Sequence, residues 1–235
     1  MKPVLYHSVS ARSFRPLWAM EELGMEYELH IVPFPPRAVH REYLEINPLG
    51  TVPALRVGNT LMTESAAMCQ YLAEAHGGGS TLALTPDEPE YPDYLNYLHF
   101  GEATLTFPQT LVLRYRHFEA PERRSPQIVE DYARWFLGRL KALDGRLHSR
   151  PFLCGQRFTM ADVSVGYAML LAEHLDLLSQ ASTQIQAYWR SLQSRPAFQQ
   201  ALKIEHDAAV SQGVSPLPAP AHRPWEQHTD TGSAQ

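Results

Sequence analysis

The stretch "LGTVPALRVGNTLMTES" (Leu49–Ser65) decides the fold. Within it "VPALRV" and "TLM" are short apolar runs parted by Gly58 and Asn59, the spacing of a β-hairpin. Directly downstream, "SAAMCQYLAEAHG" (65–77) places Met68, Tyr71, Leu72 and Ala75 at helical intervals. Pro53 has two readings: it opens a strand, where proline is tolerated, or it shapes one wall of a binding site. Glu64 and Ser65 also have two. They cap the helix, or they use its unpaired N–H groups to hold a charged ligand.

Outward from the hairpin, "PVLYHS" (3–8) and "YELHIV" (27–32) read as strands. Between them "SFRPLWAMEELG" (13–24) reads as a helix with Phe14, Leu17 and Trp18 on one face and Gly24 as its stop. "HREYLEIN" (40–47) gives a short, loosely amphipathic helix. The order is βαβαββα, a mixed sheet with helices packed on it. A polar connector rich in Gly and Pro then precedes a wholly helical remainder. Its helices are 93–118, kinked at Pro108; 127–147; 158–175, opened by a Thr159/Asp162 capping box; and 185–205, broken near Pro196. The domains are therefore 1–78 and 93–210, with a linker at 79–92. Composition makes 211–235 a disordered tail rich in Pro and small polar residues.

The 235 residues, 44% hydrophobic and 19% charged, suit a soluble globular chain with a substantial core. A net charge of -5 supplies no basic stripe, so nucleic acid and anionic membranes are not the expected partners. No apolar run approaches the ~20 residues of a spanning helix. The start, "MKPVLYHSV", enters a strand with no leader-like segment, which sets the expectation of a cytoplasmic protein. Cys69 and Cys154 are too few and too isolated for a redox pair or zinc site, and read as small buried hydrophobes. The eleven histidines show no metal-ligand spacing, so no metal is expected.

Four stretches, "SFRPLWAMEELGMEYEL", "INPLGTVPAL", "TESAAMCQYLAE" and "RFTMADVSV", stand in an order and at separations that span residues 3–205. Together they resemble the cytosolic glutathione S-transferases, nearest to a bacterial and fungal branch. The resemblance implies a thioredoxin-like first domain, an all-helical second domain, a homodimer and glutathione as cosubstrate. It also implies that Pro53 is cis and turns the Val52 N–H and C=O toward the cysteinyl backbone of glutathione. Ser65 then suits the γ-glutamyl carboxylate and Glu64 its ammonium. Thr51 stands where many relatives carry a longer Lys or Gln for the glycyl carboxylate. Arg37 or His40 would take over that contact, or "PFPPRAVHR" is a plain surface loop.

The reaction expected is attack of the glutathione thiolate on a small hydrophobic electrophile, a detoxification-type conjugation. Arg12 occupies the place of the cysteine used by one branch, so a hydroxyl is the expected activator. Ser10 is the first choice and Ser13 the second; Ser8 and Tyr6 lie within reach, and Arg12 would stabilise the thiolate by charge. Each serine is equally a turn or helix-cap residue. Phe100, Thr104, Phe107, Leu111 and Tyr115 form the expected electrophile wall, or a core stripe. Asp162 matches the family's folding cap. The alternatives are a non-catalytic glutathione-binding or interaction module with this fold, and a glutathione-dependent peroxidase, isomerase or dehalogenase.

Overall fold

A computed structural model describes residues 2–76 and 81–219. Strands β1 (Val4–His7), β2 (Glu28–Ile31), β3 (Ala54–Val57) and β4 (Thr60–Met62) form one sheet in the order β2-β1-β3-β4. β2 is parallel to β1, with Leu5 opposite Leu29, because helix α1 (Phe14–Glu22) crosses between them. β3 is antiparallel to β1, and β4 to β3 across the Gly58-Asn59 turn. The segment read as a helix at 40–47 is instead a 3₁₀ turn, Arg41–Glu45, and the α-helix α2 (Pro36–Val39) precedes it. Pro36 starts α2 one turn earlier, at a helix position that needs no N–H. α3 (Ser65–His76) closes the βαβαββα unit.

Phe14 to Met20 are all buried, since α1 packs on α3 and also on two helices of the second region. A helix buried all round belongs in a core, and the one charged residue in this run, Arg15, must be paired there.

The rest of the described chain is helical apart from its connecting segments, one of which carries the isolated bridges Phe152–Gly155 and Cys154–Arg157. α4 (Tyr91–His99) continues into a π segment, Phe100–Thr106, then α5 (Phe107–Leu113), then a second π segment, Arg114–Phe118. Pro108, the expected kink, stands in the first turn of α5. Its missing N–H falls where the hydrogen-bond frame returns from π to α. After α6 (Pro126–Leu140) and α7 (Asp144–Leu147) comes α8 (Met160–His174), with Met160 to Ala172 all buried. Its capping box is formed. Asp162 Oδ2 accepts the Thr159 N–H at 2.9 Å, while Oδ1 accepts the Leu153 N–H at 3.0 Å and the Tyr188 hydroxyl at 2.6 Å. These bonds hold a carboxyl that burial pushes above its ordinary value, and they place Asp162 in folding rather than at a surface site.

α9 (Thr183–Gln193) and α10 (Pro196–Ser211) meet at the break before Pro196. α10 straps the two regions together. Arg195, at its start, grips Glu22 through two bonds of 2.6 and 2.7 Å, and Phe198 meets Trp18 edge-on. Just past its end, the Gln212 amide accepts the Ile31 N–H at 2.8 Å and donates to the Leu29 C=O at 3.0 Å. The tail expected from residue 211 thus begins as ordered chain, because Gln212 bonds β2 and the Val214 N–H caps Ala209. Residues 220–235 of that tail, and 77–80 of the connector, lie outside the described residues.

Candidate functional site

The loop after β1 carries the candidate hydroxyls, and local bonding separates them. Ser8 and Ser13 are fully buried. The Ser8 hydroxyl donates to the Val32 C=O at 2.6 Å, and Ser13 Oγ accepts the Ser8 N–H at 3.1 Å while donating to the Ser8 C=O at 3.3 Å. Both are turn serines, which removes Ser13 as a thiol partner. Tyr6 stacks on His30 at 5.3 Å between centroids, among the residues that pack with Tyr43. Ser10 differs. It has φ +53°, its N–H donates to Glu205 Oε2 at 3.0 Å, and its C=O accepts the Tyr167 hydroxyl at 3.4 Å. Its own hydroxyl bonds no described residue, and Ser10 lines a cavity of about 130 Å³ between the two regions.

Val9, Ala11, Arg12, Phe34 and Val52 form one side of that cavity. Thr110, Leu113, Phe118, Tyr167, Leu171 and His174 form the other. None of the five residues expected on the wall is there. Phe100 and Thr104 border a separate depression, Phe107 packs its exposed ring on Trp135, and Tyr115 lines a groove of about 1000 Å³ beside α6. Leu111 is half-buried elsewhere. The cause is the π geometry. A 3.6-residue projection through 100–118 accumulates error at each widened turn, and it brings the wrong residues to the cavity face. That large groove contains no residue of the first domain.

Beside the cavity lies a charged cluster. Arg15, wholly buried, donates to the Ser164 C=O (3.0 Å), Ser65 Oγ (3.0 Å), the Gly101 C=O (3.1 Å) and Thr106 Oγ1 (2.7 Å), and pairs with Glu102. Its guanidinium also sits 4.5 Å from the centre of the Tyr167 ring. Glu102 takes a second ion pair from Arg12. Burial alone would raise the Glu102 carboxyl, but Arg15 and Arg12 outweigh it and hold the group below its usual range. Burial likewise opposes the charge on Arg12, and Glu102, with Tyr167 and Glu64 adding, raises it above its ordinary value. Glu64 is exposed just ahead of α3, and Ser65 begins that helix. Tyr167 is pushed up to about 12 by burial, so it faces Ser10 as a neutral phenol. Burial lowers His174, whose Nε2 has no partner among the described residues.

The Val52–Pro53 peptide is cis, and no described residue hydrogen-bonds the Val52 N–H or C=O. Residues 9–75 match the family model described as "Glutathione S-transferase, N-terminal domain". The chain is 28% identical to the glutathione S-transferase GstA of Escherichia coli O157:H7, over 86% of this chain and 98% of that one. Among solved structures it resembles a glutathione transferase from Methylococcus capsulatus at 28% identity and TM-score 0.74, over 86% of this chain and 98% of the other. It also resembles a sphingomonad glutathione S-transferase complexed with glutathione, at 25% identity and TM-score 0.75, over 90% and 100%.

The remaining expected residues also lie in the first domain. The Thr51 C=O is occupied by the Tyr43 hydroxyl at 2.9 Å and the Asn47 amide at 2.8 Å. Exposed Arg37 donates to the Leu49 C=O, which ties the α2 loop to the turn before Val52; His40 lies half-buried at the end of α2. Sequence reasoning missed Arg15, Glu102, Tyr167, His174 and Glu205. Arg15 alone carried a signal, a charge inside the run Phe14–Met20 whose other members are uncharged. Among the described residues no cluster of His, Cys, Asp and Glu could hold a metal, and no helix is long and apolar enough to cross a membrane.

Proposed function

We propose that the chain is a glutathione transferase of the serine type, acting on small apolar electrophiles. The observation that carries the reading is one juxtaposition. The Arg12–Glu102–Arg15–Ser65 cluster at the start of α3 adjoins the cavity onto which Ser10 opens. The residues suit the tripeptide. Arg12 and Ser65 offer donors to a γ-glutamyl carboxylate, Glu64 and Glu102 offer acceptors to its ammonium, and Val52 offers an unpaired backbone N–H and C=O. Arg37 or His40 would meet the glycyl carboxylate.

Glutathione supplies the thiol nucleophile. The chain's part is to stabilise the anion and to hold the electrophile against it. A Ser10 hydroxyl bond to a charged acceptor is worth about 1.5–3 kcal/mol, or a lowering of the thiol by roughly one to two pH units. Arg12 adds positive charge at the same cavity. The mostly aliphatic and aromatic walls suit an apolar group, and at about 130 Å³ the cavity suits a small electrophile. Cytoplasmic location and a homodimer go with this reading.

The test is calorimetric titration with glutathione, followed by the pH dependence of the bound thiolate's ultraviolet absorbance in the parent and Ser10→Ala. Arg12→Met should weaken binding about tenfold or more. Ser10→Ala should leave affinity near the parent and move the thiol midpoint up by roughly one to two pH units. A chain that ignores glutathione defeats the whole reading; one that binds but shows no midpoint change in Ser10→Ala defeats only the serine assignment.

A further inference from the structure

Glu205 lies on α10, about 195 residues downstream of the thiol-site loop, yet it is 4% exposed and pressed against that loop. A single oxygen, Oε2, accepts two donors, the Ser10 N–H at 3.0 Å and His7 Nε2 at 2.9 Å. A carboxylate acceptor fixes the imidazole proton on Nε2, and His7 Nδ1 has no partner among the described residues. Ser10 holds a left-handed backbone, φ +53°, which a non-glycine residue keeps only when its surroundings enforce it. Two bonds do so here, one at each end of the residue: the carboxylate on its N–H and the Tyr167 hydroxyl on its C=O. The neighbouring turn is tied separately by Ser8 and Ser13, so the loop depends on the second region at Ser10 and, two residues on, through the Arg12–Glu102 pair.

We propose that Glu205 is the positioning residue of the thiol site: its buried carboxylate, braced by His7, holds the Ser10 backbone so that the Ser10 hydroxyl faces the cavity. The proposal rests on the reading of Ser10 given above. Glu205 touches neither the cavity nor a ligand, and it acts only through Ser10. The titratable groups around it are His7 on β1 and Tyr167 and His174 on α8. Both bonds end on the same oxygen, which makes the geometry selective. A glutamine can put its amide oxygen at that place and keep both donors; an apolar side chain of similar size cannot.

Three substitutions separate the possibilities: Glu205→Gln, Glu205→Met and Ser10→Ala, with Glu205→Met/Ser10→Ala as the combined chain. Two quantities are read. One is hydrogen–deuterium exchange of the peptide covering residues 5–13 in the ligand-free protein. The other is the titration midpoint of the bound glutathione thiol. Glu205→Met should speed exchange in that peptide about tenfold or more and raise the midpoint by about one pH unit. Glu205→Gln should stay near the parent in both. In the Ser10→Ala background Glu205→Met should add no further midpoint change, since the group it positions is gone.

The proposal is overturned if Glu205→Met leaves the midpoint unmoved while Ser10→Ala raises it. It is overturned too if folded Glu205→Gln is as impaired as Glu205→Met, or if the two changes add. A Ser10→Ala chain with an unchanged midpoint removes the underlying reading instead, whatever Glu205 does. Should Glu205→Met not fold, the Glu205→Gln comparison still decides: parent-like exchange and midpoint support the acceptor role, and loss of either refutes it.

Discussion

Replacing Arg15 by methionine tests the charged cluster on which both fold and site depend. The substitution keeps an unbranched chain of similar reach and removes every donor. It strips partners from the Ser164 and Gly101 carbonyls, from Ser65 and Thr106, and above all from Glu102. Removing one partner of a buried ion pair costs about 3–5 kcal/mol, because the other charge stays behind. For a chain of this length that is a fall in Tm of about 6–20 °C.

The loss carries a pH signature. In the parent, burial would raise the Glu102 carboxyl, but Arg15 and Arg12 hold it below the usual range. Its contribution to stability is therefore present above the unfolded carboxylate value, near ~4.3, and disappears as pH falls through the lower folded value. In Arg15→Met only Arg12 remains, the carboxyl moves up, and the contribution is lost at higher pH. The gap between the two proteins should be widest near neutrality and narrow as pH falls from about 5 toward 3. Scanning calorimetry across that range reads it directly. A neutral-pH fall of less than about 2 °C, or a gap that stays constant down to acid, would refute the role assigned to Arg15.

Gly101→Ala would put a Cβ 2.4 Å from Ser164 Oγ and 2.5 Å from the Ser164 carbonyl carbon. Since the obstacle includes backbone of α8, a loss of about 1–3 kcal/mol or more is expected in urea unfolding; a neutral result would mean that this helix contact is looser than described. For the cavity wall, Leu113→Ala should alter kcat/KM for an apolar electrophile by about tenfold, whereas Phe107→Ala should not. The reverse outcome would restore the wall inferred from simple helical periodicity. Burial pushes the Cys69 thiol up to about 12 and the Cys154 thiol up to about 11, so alkylation of the native protein at pH 8 should label neither cysteine, and labelling in urea both.

The strands, α1 and α3 of the first domain were legible because each is announced locally, by a turn pair at Gly58-Asn59, apolar alternation in the strands and helical spacing in α1 and α3; α2 and the 3₁₀ turn after it were not. The cis bond at Val52–Pro53 was legible only through the resemblance, since proline spacing by itself equally fits a strand start. The Thr159/Asp162 box could be read because both its partners sit within one helical turn. The cavity wall could not. Periodicity assumes a constant turn, and the segments Phe100–Thr106 and Arg114–Phe118 do not keep one. Glu102 and Glu205 were invisible for another reason. A carboxylate on a helix looks solvated until the fold brings Arg15 or the Ser10 N–H against it, and those partners are 87 and 195 residues away.

The two bonds from Gln212 to β2 bear on how copies of the chain meet. β2 lies at the outer margin of the sheet, where a strand's unused backbone groups can recruit another strand. The Gln212 amide, one donor and one acceptor, occupies the Ile31 N–H and Leu29 C=O much as a residue of a fifth strand would. The residue that ends α10 therefore also insulates the sheet against self-templating, and a chain cut short before Gln212 would present a sticky border whose association grows with concentration.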